Sequence, residues 1–171
     1  MSLRPLRFER LDRVHEPSLL EFAQEFQEEG DDRFDALLDD PPAFFDEVDR
    51  FENDRDLPLD RVPMTHYVLF DGDWLVGSSR LRRRLIPVLL LDGGNIGYEV
   101  RPSARRRGYA TEILRRTLEE ARKLGLDRAL LTAEVANAGS NRVIERAGGR
   151  PDGESISPRT GERMRRFWID L

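Results

Sequence analysis

Apolar residues along this chain change their spacing more than once, and the changes mark its elements. Leu3 to Leu11 alternates loosely with charged residues, which predicts a first strand. From Pro17 the spacing is helical: Leu19, Phe22, Ala23 and Phe26 share one face, with Glu21, Gln24 and Glu25 between them. Ser18 followed by Glu21 reads as a capping box, and Gly30 as the helix stop. Phe34, Leu37 and Leu38 predict a helical turn broken by Pro41-Pro42. Phe44, Val48 and Phe51 predict the apolar face of a second helix over Ala43 to Phe51, and a polar connector runs to Pro63.

At Met64 the period shortens to two. Met64 to Phe70 and Trp74 to Arg82 are predicted strands around Asp71-Gly72-Asp73, a hairpin signal. Ile86 to Leu91 reads as β-like, with Pro87 restricting it to an edge or a loop. Asp92-Gly93-Gly94 is a turn, and Asn95 to Val100 is a strand. Tyr109 to Leu124 is the clearest helix: Ala110, Ile113, Leu114, Thr117, Leu118 and Ala121 face one way, the charged residues the other, and Gly125 ends it. Arg128 to Ala133 is a short buried strand. A strand–helix–strand order makes it parallel to Asn95–Val100. Ser140 to Ala147 is a short helix capped by Ser140, and Arg163 to Leu171 a last strand. Without repeats or a long linker, residues 1–171 read as a single domain.

Composition narrows the chemistry. Cysteine is absent, which removes thiolate and disulfide chemistry, and two histidines, His15 and His66, are too few for an all-histidine metal site. His66, alternating with apolar neighbours, reads as a core or rim residue. No apolar run reaches the roughly 20 residues of a membrane helix and no signal-peptide core is evident, so no membrane partner and a cytoplasmic location are expected. Net charge is −5 but unevenly spread: residues 16–60 carry 17 acids against three arginines, whereas the segment from 61 onward is basic. That split suits an anionic ligand on the C-terminal part and a cationic one near the N-terminal part.

The anionic ligand has an evident place. After the strand ending at Val100, Pro102-Ser103 breaks the chain, and Arg105-Arg106-Arg107-Gly108 leads into the helix at Tyr109. A helix N-terminus carries free N–H groups and partial positive charge, glycine lets backbone approach a ligand closely, and arginine pairs with phosphate.

Arg105-x-x-Gly108-x-Ala110 after a strand resembles the acetyl-CoA signature of the GNAT superfamily of N-acetyltransferases. Asn137-Ala138-Gly139-Ser140 before a short helix ending in Gly148-Gly149 resembles the family's closing segment. The resemblance covers Trp74 to Gly149 and extends to the flanks by element order. It implies an α/β (α+β) acyl-CoA N-acyltransferase fold, with a mixed, mainly antiparallel sheet of six or seven strands and about four helices. Acetyl-CoA would lie in a splay between Asn95–Val100 and Arg128–Ala133, with no metal. Cofactor contacts would come from Tyr98, Val100, Arg105, Arg106, Arg107, Gly108, Tyr109, Ala110, Asn137 and Ser140. The Val100 N–H would meet the acetyl end or the adjacent amide, and residues 105–110 would wrap the pyrophosphate. Glu99 is the candidate general base and Glu134 the second choice. Two positions depart from the family: Ile144 stands where relatives carry a proton-donating tyrosine, and Gly148-Gly149 replaces Gly-Phe.

The expected activity is acetyl transfer from acetyl-CoA to a primary amine on a small molecule or peptide, directly in a ternary complex. The acidic segment makes a cationic acceptor attractive; polyamine, aminoglycoside, lysine and N-terminal amines stay open. The alternative is a non-catalytic acyl-CoA-binding domain, favoured by Ile144. Nucleic acid is excluded as a partner by net acidity and the lack of a recognition motif, despite Arg82-Arg83-Arg84. A Rossmann or P-loop enzyme is excluded by the absence of its glycine motif. The run Ile86–Leu91 suits a homodimer edge.

Overall fold

The computed structural model describes residues 5–171; Leu3 and Arg4 of the expected first strand lie outside the described residues. Among the described residues, seven strands form two antiparallel sheets. The first has the order β1 (Leu6–Arg10), β2 (Met64–Asp71), β3 (Trp74–Arg82), β4 (Ile96–Val100). The second has the order β5 (Arg128–Glu134), β7 (Arg163–Asp170), β6 (Arg150–Ile156). Alternation along β2 to β4 gives the first sheet two apolar faces. Val68 and Phe70 pack beneath α1 (Glu16–Glu28), α2 (Asp35–Asp39) and α3 (Pro41–Glu52) with Phe22, Phe26 and Phe45. Tyr67, Leu81 and Ile96 pack on the other side against α5 (Tyr109–Lys123), through Leu114 and Leu118, and against Leu131 and Phe167 of the second sheet.

The two sheets do not join by a ladder. β4 and β5, expected to splay around the cofactor, meet at a clamp at Asn95: its N–H donates to the Leu130 carbonyl at 2.7 Å, and its Oδ1 accepts from the Leu130 N–H at 2.8 Å. Both contacts sit near the starts of the two strands, and beyond them the strands make no ladder with each other.

Other expectations change in ways that have local causes. Ile86–Leu91 is not a strand: α4 (Pro87–Leu91) is a short helix with proline in its first turn, where the missing N–H costs nothing. Its Val88, Leu90 and Leu91 are partly exposed, so the apolar run offers a helix patch rather than a strand edge. Ser18 does not cap α1, which starts two residues earlier with Pro17 in its first turn. Pro41 opens α3 rather than merely ending α2, and the buried residues of α3 are Phe45 and Val48, leaving Phe44 for a cavity described below. Strand β6 was not expected: Pro151 and Gly153 interrupt it at a bulge, and its side chains are nearly all exposed, so it lacks alternation. Among the described residues no helix is long and apolar enough to cross a membrane.

Candidate active site

The loop after β4 is built as a set of free donors. One 3₁₀ turn (Pro102–Ala104) follows Val100, then Arg106 and Gly108 take positive φ, at 66° and 87°. The N–H groups of Arg106, Arg107 and Gly108 donate to no protein group among the described residues. The first-turn N–H groups of α5, from Tyr109 and Ala110 onward, continue the run, because a helix cannot satisfy them internally. A side chain at Gly108 would meet nothing within 4 Å, so the loop faces open space there. This arrangement fits a polyanion such as a pyrophosphate.

The arginines divide their work. Arg105 is held by Glu29 at 2.9 Å and lies over the Phe26 ring. Arg107 donates to the Ser103 carbonyl at 3.3 Å and lies over Trp74. Arg106 makes no ion pair among the described residues. Tyr109 donates to Asp71 Oδ2 at 2.6 Å, which ties the start of α5 to the β2–β3 turn rather than leaving the phenol in the site.

A residue that the sequence did not single out for chemistry anchors this loop. Glu25 on α1 accepts from Arg101 Nε at 2.6 Å, and from the Ser103 N–H and Oγ, both at 3.0 Å. Partial burial pushes its pKa up, but the Arg101 and Ser103 hydrogen bonds outweigh that and hold it below the ordinary carboxylate value. A lowered folded-state pKa means that the anchor is complete above the unfolded value of 4.5 and is lost as pH falls through the folded one. Glu25→Ala is expected to weaken binding of a pyrophosphate-bearing ligand to this loop about tenfold at pH 7, as loss of a charge-assisted anchor of roughly 1.5 kcal/mol would. Calorimetric titration checks this; an unchanged Kd would remove Glu25 from the loop's support.

On the other face of β4, Glu99 is buried, with 3% of its side chain exposed. Its carboxylate accepts from the Ser78 hydroxyl and from Arg80 Nη2 at 2.6 Å, and Arg33 Nη1 approaches to 3.9 Å. Cross-strand register explains this, since Ser78 lies directly opposite Glu99 and Arg80 opposite Gly97. The group borders a cavity of about 60 Å³ walled by Leu11, Leu19, Phe34 and Phe44. His66 lines the same cavity, with its Nδ1 buried and unpartnered. Burial, helped by Arg80 and Arg82, pushes the His66 pKa down to about 3, so the ring is neutral and a poor base. Burial also opposes the charge of Arg33, but Asp31, Glu99 and Glu134 raise its pKa on balance, so it stays cationic.

The second motif closes the other side. Asn137, not Ser140, caps α6 (Ala138–Arg146): its side chain accepts from the Ser140 N–H at 3.0 Å. Ser140 instead meets Tyr98, the two hydroxyls lying 2.9 Å apart, which links β4 to the helix that follows β5. Burial pushes the Tyr98 phenol pKa up, so it keeps its proton at neutral pH. Buried Asn141 donates to the carbonyls of Glu134 and Asn137 and fixes the turn between β5 and α6. Glu134 is exposed at the end of β5, within electrostatic reach of Arg33. Ile144 is buried in the core, with Gly149 packed tightly against it, so this position has a packing role.

Thus the loop 105–110 gathers on one side of β4's end, Glu99 opens on one face of that strand, and Tyr98 with Ser140 stands on the other. Arg33, Ser78, Arg80, Asn95 and Asn141 were missed. A polar residue in a turn, a strand or a helix leaves no signal of its partners until the strand register and the packing of the elements are known.

A family model described as an acetyltransferase (GNAT) domain matches residues 2–150. No curated protein matches the chain's sequence significantly. Solved structures match its fold over most of their length. One is YncA from Salmonella typhimurium, a putative acetyltransferase with its cofactor acetyl-CoA, at 14% identity and TM-score 0.64, covering 97% of this chain and 94% of that one. Another, also from Salmonella typhimurium, is an acetyl transferase that modifies the N-terminal serine of ribosomal protein L7/L12, at 14% identity and TM-score 0.69, covering 97% and 95%. A third is the spermidine/spermine N-acetyltransferase SpeG from Vibrio cholerae in mutant forms, at 17% identity and TM-score 0.63, covering 97% and 95%. At these identities the likeness is one of fold.

Proposed function

Because the chain belongs to the GNAT acetyltransferase family, we propose that it is an acetyl-CoA-dependent N-acetyltransferase acting on a primary amine of a small molecule or peptide. The observation that carries the reading is the run of unpartnered N–H groups from Arg106 into α5, one strand end away from the buried carboxylate of Glu99. The N–H run and Arg106 would hold the pyrophosphate, and Asn137, Ser140 and Tyr98 would flank the thiol end. Acetyl-CoA would supply a thioester whose acyl carbon bonds to the amine nitrogen as its C–S bond breaks.

The chain's own residues have the remaining tasks. Glu99, directly or through a water, takes the proton that the amine must lose. The Val100 N–H is the strand-end donor for the acyl carbonyl side. The Tyr98–Ser140 hydroxyl pair carries a proton that can return to the leaving thiolate, a role that Ile144 cannot fill. Without cysteine, and with Ser140 bonded to a tyrosine rather than to a histidine–acid pair, direct transfer is favoured over a covalent acyl-enzyme.

Titration with acetyl-CoA and with CoA, on wild type and on Gly108→Trp, tests the cofactor site. Micromolar binding is expected in wild type. In the variant it should weaken at least about 100-fold, since a bulky side chain at a positive-φ position both strains and covers the loop. No binding by folded wild type would sink the proposal.

A further inference from the structure

The cavity beside Glu99 carries information about the acceptor. Of the 17 acids of residues 16–60, which suggested a cationic acceptor, seven pair with arginines, Asp31 with Arg33 among them. Glu25 pairs with Arg101, Glu29 with Arg105, Asp46 and Asp49 with Arg13, Glu52 with Arg10 and Arg83, and Asp54 lies near Arg84. The other ten make no ion pair among the described residues, but none of the 17 lines the cavity beside Glu99.

The cavity itself is richer in donors than in acceptors. Arg80 uses Nη2 for Glu99, but its Nε is buried without a partner. Gly97 leaves room for that guanidinium, because a side chain there would come within 3.1 Å of Nη2. Arg33 binds Asp31 through Nε and Nη2 and turns Nη1 toward Glu99. Each guanidinium has five N–H donors, so most of those on Arg80 are unused. The positive field is felt by its neighbours: besides burial, Arg80 lowers the pKa of both His66 and Arg82. A polyamine would add only donors to such a site. A group with oxygen lone pairs and negative charge would complete it, while Glu99 retains lone pairs for an ammonium.

Building on the acetyltransferase reading, we infer that the acceptor is an aminocarboxylate, an α-amino acid or close relative, whose carboxylate is held by Arg33 and Arg80 while its amine faces Glu99. The apolar walls, Leu11, Leu19, Phe34 and Phe44, then receive its side chain. The transfer is unchanged: an N–C bond forms, the C–S bond of the thioester breaks, one amine proton leaves to Glu99, and the thiolate is protonated.

The test measures CoA thiol release from acetyl-CoA with the twenty α-amino acids, the carboxamide of each, and spermidine. At least one amino acid is expected to exceed its own carboxamide about tenfold or more in kcat/KM, as loss of a charge-assisted hydrogen bond would dictate. Arg33→Gln and Arg80→Gln should raise KM for the amino acid about tenfold more than they raise it for the carboxamide, a differential that general destabilisation would not produce. Arg33 is half-exposed, so its variant should fold even if the Arg80 variant does not. Carboxamides or spermidine turning over as well as the amino acids would overturn this inference and leave amine acetylation standing. Thiol release with none of them, from protein that binds acetyl-CoA, would overturn this inference and leave peptide amines as the acceptors of the acetyltransferase reading.

Discussion

Glu99→Gln is expected to lower kcat for acetyl transfer about 100- to 10,000-fold, the range associated with loss of a general base. The substitution is nearly isosteric, and acetyl-CoA binding should hold, because the phosphate loop lies beyond the strand end and is anchored separately by Glu25. The amide can still accept from Ser78, but Arg80 loses its charge partner in a partly buried setting, so some loss of melting temperature accompanies the loss of rate. One readout separates catalysis from scaffolding: Arg80→Gln, which also breaks the pair, should act on KM rather than kcat. A kcat within about threefold of wild type would make Glu99 a substrate-holding carboxylate and pass the base to Glu134. That residue is exposed at the end of β5 and can be tested by the same substitution.

How far the sequence foresaw this site depends on what kind of signal each residue leaves. The hairpin Met64–Arg82, the amphipathic helix from Tyr109 and the turn at Gly108 were legible because period and glycine chemistry are local properties. Glu99 could be named because it adjoins the motif. Its partners could not: Ser78 and Arg80 reach it across a strand pair, and only the register Ser78↔Glu99 reveals that they share a face. Glu25 reads as one more exposed acid on an amphipathic helix until α1 is laid against the loop after β4. Net charge is equally blind to geometry: seven of the 17 acids of 16–60 pair with arginines and none lines the cavity beside Glu99, and segment totals register neither. Strand β6, exposed on both faces, had no hydrophobic pattern to find.

Asn95→Ala is expected to destabilise the protein by about 2–5 kcal/mol, because it strands two buried backbone groups at once. The side chain accepts from the Leu130 N–H at 2.8 Å and donates to the Arg82 carbonyl at 3.1 Å, while its own N–H and carbonyl bind Leu130 and Arg82. Neighbouring Gly94 reinforces the junction from a second direction: it has φ 58°, and a Cβ there would fall 2.3 Å from the Leu130 carbonyl oxygen, backbone against backbone. Gly94→Ala should therefore cost at least as much, by steric exclusion rather than by lost hydrogen bonds. For a chain of this length the losses correspond to a melting temperature lower by roughly 5–15 °C, measurable by thermal unfolding. The functional consequence follows from position. Asn95 sets where β4 and β5 part, and the site uses the parted ends: Val100 and Glu99 on one strand, Asn137 and Ser140 just past the other. A variant that stays folded at low temperature should bind acetyl-CoA more weakly even though Asn95 touches no proposed ligand group. Unchanged melting temperature and unchanged binding in Asn95→Ala would mean that the packing of α5 against both sheets, and not this clamp, holds the strands at their separation.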